Sequence, residues 1–245
     1  MEDIKRMEER AQGVINSYSL HDNFKDLERT GWNVWHVKRH RIESVPEHVY
    51  GAVQLAYAMW SEFDEYQDID IDKVVLLLTS HELGETLLGD VTQFQMPREV
   101  KEEVEQLADD MATAQLRRGK HIRDLVREFD ERKTPEAIFA YMCDKLECDL
   151  HSKWYDEENC VDLNDQEGND VMNNARVQAL LNTGKSWSGM WMQFGRDTYA
   201  YDDNFRFVSE YAEKVNLHEP VRKLKKEFKE KADRIIAARL GKENN

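Results

Sequence analysis

The sequence predicts an all-α fold, and three observations predict it. Gly (11) and Pro (4) are scarce in a chain of 245 residues, which removes much of the turn chemistry that an all-β chain needs. Apolar residues recur at helical spacing along most of the chain. Cap signals open two of those stretches: Ser44-Val45-Pro46-Glu47, with Ser44 as N-cap and Glu47 three later, and Thr134-Pro135-Glu136, with proline at the first helical position.

Taken in order, residues 3–18 read as a short amphipathic helix with Ile4, Met7, Ala11 and Ile15 on one face. His21-Asp22-Asn23 reads as a break and a cap before Phe24, and Thr30-Gly31-Trp32 as a helix end. A basic, aromatic loop follows through Trp35, His36, Lys38, Arg39, His40 and Arg41. The helix opened by Ser44 reaches about Phe63, with Val49, Ala52, Val53, Ala56, Met59, Trp60 and Phe63 as its buried stripe. Asp72 is placed to cap the next helix, which runs through Leu76-Leu77-Leu78 into His81-Glu82-Leu83-Gly84-Glu85 and ends at Gly89-Asp90. Pro97 begins a helix with Val100, Val104, Leu107, Met111 and Leu116 on one side, and residues 121–130 form a short one. The helix after Thr134 carries Ile138, Phe139, Tyr141, Met142, Leu146, Leu150 and Trp154, with Asp144 in the middle of that apolar face. The polar segment 157–170 is a loop. Helices are expected around 171–182, 187–198, 203–215 and 220–240. The last is read as a solvated helix packed on its own domain by Val221, Leu224, Phe228 and Ile235.

Charged residues make up 34% of the chain and the net charge is −15, which disfavours stable nucleic-acid binding because a face of that sign repels the phosphate backbone. Three cysteines, at 143, 148 and 160, form no CxxC pair and suit reduced thiols in a cytoplasmic protein. The N-terminal MEDIKRMEER has no apolar signal core, and no apolar run approaches membrane-spanning length.

Three separate helices place ionisable groups on or beside a buried stripe: His48, then His81-Glu82, then Asp144. Singly, each has an ordinary reading as a paired core residue. Together, two imidazoles and two carboxylates suit Zn²⁺, Mn²⁺, Fe²⁺ or Co²⁺, and an open position on such an ion activates water at neutral pH.

This order of residues resembles the HD-domain metal-dependent phosphohydrolases, whose pattern is His, His-Asp, Asp. Arg29-Thr30-Gly31-Trp32, Glu43-Ser44-Val45-Pro46-Glu47-His48, His81-Glu82-Leu83-Gly84-Glu85…Gly89-Asp90 and Cys143-Asp144-Lys145-Leu146-Glu147 narrow the resemblance to the 5′-deoxynucleotidase branch. It covers about residues 22–155. It implies an HD-domain helical bundle over residues 1–155; it says nothing of 156–245, which read from their helical spacing as an additional C-terminal helical extension packed on that core. One divalent transition metal (Mn, Co, Fe, Zn or Ni) would be held by His48, His81, Glu82 and Asp144. Glu85 would position the attacking water or manage its proton, Arg29 would bind the phosphate, Trp32 would wall the pocket, and Asp90 would meet the sugar hydroxyl. The implied reaction is hydrolysis of a (deoxy)nucleoside 5′-monophosphate, by an enzyme that is a homodimer by analogy. The chain departs from the family at Glu82, a carboxylate on a longer arm than the family's Asp, which bears on metal preference.

Two other functions are compatible with these residues. A dNTP triphosphohydrolase would want more basic groups around its pocket, which the His36–Arg41 loop is placed to supply. A binding or regulatory module would keep the fold with weakened chemistry. The aromatic residues Trp187, Trp191, Phe194 and Tyr199 read as core or dimer interface rather than a base-stacking platform.

Overall fold

The computed structural model describes residues 2–92 and 94–240, and among them no strand forms. The α-helices in order are α1 (Glu2–Phe24), α2 (Thr30–Val34), α3 (Val45–Glu62), α4 (Ile71–Ser80), α5 (Glu85–Leu88), α6 (Arg98–Ala114), α7 (Gly119–Glu131), α8 (Pro135–Glu157), α9 (Ala175–Leu181), α10 (Trp187–Thr198), α11 (Asp203–Ala212) and α12 (His218–Leu240). One isolated antiparallel bridge joins Glu28 to Ser44. No described helix is long and apolar enough to cross a membrane. The three cysteines are free thiols. Residues 241–245, the end of the predicted extension, lie outside the described residues.

The architecture is organised by α8, against which α3, α4, α7, α10 and α11 all pack. Thr134 caps it by accepting from the Ala137 amide (3.3 Å), and Pro135 occupies the first turn. The main core joins Ala52, Ala56 and Met59 of α3, Val74, Leu77 and Leu78 of α4, Phe139, Met142 and Leu146 of α8, and Phe205 of α11. Burying each of the larger side chains contributes about 1.5–3 kcal/mol. A second, aromatic cluster joins Trp32 and Trp35 to Tyr155, Trp187, Met190 and Phe194. The loop after α2 is tied down through it: the Lys38 amide donates to the Cys160 carbonyl (2.7 Å), and Gln166 Nε2 donates to the Trp35 carbonyl (3.1 Å).

Several local expectations are corrected. Asp22 and Asn23 lie inside a continuous α1 rather than at a break, and Thr30 to Trp32 begin a short helix rather than end one. The cap of α4 is Asp70, which accepts from the Lys73 amide (3.1 Å), not Asp72. Trp60 is exposed, as are Ile4, Met7 and Ile15 of α1, Val100, Leu107 and Met111 of α6, and Leu224, Phe228 and Ile235 of α12. The stripe on α12 therefore does not pack on its own domain. Periodicity identifies an apolar face, but α3, α4, α7, α8 and α11 already close the core, so among the described residues nothing covers these outer faces.

Candidate metal centre

The opening turn of α3 carries His48. Two main-chain bonds fix where that turn sits: Val45 N donates to the Leu27 carbonyl (2.7 Å) and Arg29 N to the Glu43 carbonyl (2.9 Å), which also draws Arg29 alongside. The Ser44 amide donates to Glu47 Oε2 (3.0 Å), the back-reaching half of the capping box. Asp144 projects from the middle of α8, about one and a half turns past Phe139.

His81, Glu82 and Glu85 do not share one regular helix, as the spacing predicts. The α-helix ends at Ser80, and the chain tightens into three-residue steps: Leu83 N to Ser80 O (3.2 Å), Glu85 N to Glu82 O (3.1 Å) and Thr86 N to Leu83 O (3.3 Å). Gly84 allows this turn to lie on α6, since a Cβ there would come within 2.8 Å of Asp109 Oδ1. Gly89, at φ +84°, closes the segment.

The structure brings His48, His81, Glu82 and Asp144 together, with one ligand atom from each within 4.8 Å of all the others. Asp144 Oδ1 lies 2.8 Å from His48 Nε2 and 3.6 Å from His81 Nε2, while its Oδ2 holds Lys145 Nζ at 2.7 Å. Glu82 Oε1 lies 3.4 Å from His81 Nε2 and 3.3 Å from Arg29 Nη1. Burial works against charge on both carboxyls. For Asp144, Lys145, His48 and His81 outweigh it, and for Glu82, His81 and Arg29 do, so both acids are held well below the usual carboxylate range.

These residues fit a divalent ion. His81 Nδ1–H donates to the Leu78 carbonyl (2.7 Å), so Nε2 presents its lone pair to the centre, where it is buried and has no hydrogen-bond partner. Burial lowers the His81 pKa, yet Glu82 and Asp144 raise it to about 9, which shows how strongly this position calls for positive charge. Both nitrogens of His48 face carboxylates, Nδ1 at 2.5 Å from Glu147 Oε2 and Nε2 on Asp144. Only an imidazolium donates to both, and an ion on Nε2 would take the place of one proton. Two imidazoles and two carboxylates form a donor set for a first-row divalent metal.

Glu85, Arg29, Trp32 and Asp90 line one cavity of about 780 Å³ together with His81, Glu82 and Asp144. Glu85 is buried and its Oε2 has no partner. Burial, with Glu82 and then Asp90 close by, pushes its carboxyl well above the usual range. Asp90 is held from the Arg29 side: its Oδ2 accepts from the Thr30 amide (2.6 Å), and its carbonyl from the Thr30 hydroxyl (2.7 Å). Arg29 Nη2 lies 3.1 Å from Cys148 Sγ. Trp32 points its ring N–H away from the cavity, to Glu43 Oε2 (2.8 Å).

The basic loop does not supply this cavity. Lys38 pairs with Asp165 (2.6 Å), Arg39 with Glu158 (3.1 Å) and Arg41 with Glu47, and His36 bonds the Asp165 carbonyl (2.9 Å). None of residues 36–41 lines the cavity. Trp187 and Phe194 are buried in the aromatic cluster, whereas Trp191 and Tyr199 also line the cavity wall. Sequence reasoning missed Lys145, Cys148, Glu147, Glu43 and His151. For Glu147 and His151 a signal existed: with Asp144 they stand at helical spacings of three and four on one face of α8.

This fold and this set of four side chains define a class. The chain belongs to the HD-domain family, the metal-dependent phosphohydrolases it resembles in sequence, and a family model described as an HD domain matches residues 21–183. The 5′-deoxynucleotidase HDDC2 of Dictyostelium discoideum is 30% identical over 153 residues, which is 59% of this chain and 78% of that protein. Two solved structures share the fold. A conserved hypothetical protein from Pyrococcus furiosus is 20% identical with a TM-score of 0.54, covering 82% of this chain and 99% of that one. A predicted metal-dependent phosphohydrolase from Magnetospirillum magnetotacticum is 19% identical with a TM-score of 0.52, covering 83% of this chain and 97% of that one.

Proposed function

We propose that the protein releases phosphate from (deoxy)nucleoside 5′-monophosphates. The observation that carries this reading is the four-residue centre, three of whose members (His81, Glu82 and Asp144) line the cavity together with Glu85 and Arg29. The Dictyostelium relative, named as a 5′-deoxynucleotidase, supports the finer assignment.

A divalent transition metal held by His48, His81, Glu82 and Asp144 would supply Lewis acidity to water and to a phosphoryl oxygen. The other residues act on substrate and protons. Arg29 offers its guanidinium N–H groups to the phosphate. In the present geometry Nη1 is on Glu82 (3.3 Å) and Nη2 on Cys148 (3.1 Å), so the fork is pre-aimed toward the centre. Glu85 holds or receives a proton at its unpartnered Oε2, a general acid–base position in the same cavity as the centre. A bound cation would offset the carboxylate repulsion that keeps this group protonated. Lys145, through its bond to Asp144 Oδ2, leaves Oδ1 turned to the two imidazoles. Trp32 walls the pocket, and Asp90, held by Thr30, stands at the sugar end.

A phosphate-release screen over nucleoside mono- and triphosphates, with Mn²⁺, Co²⁺, Fe²⁺, Zn²⁺ and Ni²⁺ in turn, tests the reading. Release of one phosphate from 5′-monophosphates is expected. A metal-replete protein that releases none from any of them would end the proposal, and release of triphosphate from dNTPs would replace it.

A further inference from the structure

Behind His48, on the side away from the cavity, lies a set of buried ionisable groups that the proposed reaction does not use. Glu147 Oε2 sits 2.5 Å from His48 Nδ1. Its other oxygen faces His151 Nδ1 at 3.8 Å, and that nitrogen lies 3.2 Å from Glu43 Oε1. Glu43 is in turn held by the Trp32 ring N–H (2.8 Å), and its own amide donates to the Tyr155 hydroxyl (3.0 Å). Glu43 and Glu147 are both buried. Two carboxyls withdrawn from water in a chain of net charge −15 are costly unless they do something.

The backbone keeps room for this arrangement. Gly51 follows His48 by three residues on α3, and a Cβ there would reach 2.9 Å from Glu147 Cδ. No side chain fits at that position unless Glu147 moves. Glu147 also follows Asp144 by three residues on α8, so two acids on one helix face grip the same imidazole from opposite edges. An imidazole whose Nδ1–H is donated to a carboxylate is fixed in ring orientation and tautomer, with Nε2 left as the ligand atom, and is a better electron donor there.

We propose that Glu147 is the positioning residue of His48. It locks Nδ1–H so that Nε2 faces the metal, Gly51 reserves its place, and His151 and Glu43 back it, with Glu43 held in turn by Trp32. The inference rests on the metal-site reading above and concerns affinity for the ion, so its test does not depend on turnover.

Three variants separate contact from charge. Glu147→Gln keeps an oxygen that accepts from Nδ1–H and loses the charge. Glu147→Asp keeps the charge and draws the oxygen back by a methylene. Glu147→Ala loses both. Mn²⁺ and Co²⁺ are titrated into the metal-free full chain by calorimetry, with the ligand-field spectrum of the Co²⁺ form and the melting temperature of the metal-free form recorded beside it. Ala and Asp are expected to weaken binding by about 10–100-fold and to alter the Co²⁺ spectrum. Gln is expected to restore most of the affinity and the parent spectrum. Gly51→Ala, which touches no ligand, should weaken binding in the same range by displacing Glu147. Asp and Ala variants that fold and bind the ion as tightly as the parent overturn the inference, whatever their melting temperatures. A parent chain that binds neither ion overturns the metal-site reading and this inference with it.

Discussion

Replacing Asp144 by Asn keeps the shape of the side chain and removes the charge that three neighbours share. Asp144 is 2% exposed. Its Oδ1 meets His48 at 2.8 Å and His81 at 3.6 Å, and its Oδ2 meets Lys145 at 2.7 Å. Removing one member of a buried ion pair costs about 3–5 kcal/mol. The Asn oxygen can still face one partner, so the low end, about 3 kcal/mol, applies to the metal-free protein. For a chain of this length each kcal/mol moves the melting temperature by about 2–4 °C, which gives a fall of roughly 6–12 °C. A second loss appears when metal is present. The parent gains about 2.7 kcal/mol from an ion at one hundred times its Kd, and the variant should gain almost none. Differential scanning calorimetry with and without Mn²⁺, together with metal counted per chain by plasma mass spectrometry, measures both. A variant that loses stability but still carries a full equivalent of metal would refute the ligand role. A parent whose melting temperature ignores every divalent ion would refute the centre itself.

Glu85→Gln should leave metal content unchanged and lower kcat by about 100–10,000-fold, the range for losing a positioned acid–base group, read by phosphate release. Arg29→Lys keeps the charge but gives up the fork that reaches Glu82 and Cys148; KM should rise by about tenfold, with metal stoichiometry intact by mass spectrometry. Burial, with Asp130 and Glu105 near, raises the Asp109 pKa from 3.8 to about 7. The folded chain thus keeps that proton to higher pH than the unfolded chain does, and stability is lost as pH rises from about 4 through about 7. Asp109→Asn should therefore stabilise the protein at pH 8, by on the order of 1–2 kcal/mol after allowing for solvent screening, and change little at about pH 4, as urea titrations at the two pH values would show.

The candidate cluster was legible because its chemistry is local. Each of His48, Glu82 and Asp144 stands beside apolar residues at helical spacing, and a buried charge demands a partner. What periodicity does not encode is which face another helix will cover. Leu107, Met111 and Phe228 repeat as regularly as Ala52 and Ala56, yet the former are exposed and the latter lie in the core. Nor does it encode how a helix ends inside an apolar run. The break after Ser80 depends on Gly84 lying against Asp109 of α6, a contact between distant parts of the chain. Of the buried groups behind His48, Glu147 and His151 share a helical face with Asp144, whereas Glu43 looks like an ordinary surface residue until the turn before α3 is placed beside α8. The basic loop misled in the opposite direction, since its Lys and Arg are matched one by one with acids on the surface.

The segment of α2 and the loop after it, with Trp32 and Trp35, is fastened by chain that comes much later: the carbonyl of Cys160, the side chain of Gln166 and the ring of Trp187. On a ribosome, the four candidate ligands emerge with Asp144, but the wall beside them waits for about fifty more residues, through Trp191 and Tyr199. A nascent chain would own its ion before it owned its pocket. Trimming the protein after α8 would then keep the four candidate ligands and Glu147 but lose the part of the wall that Trp191 and Tyr199 supply, leaving the centre open to bulk water.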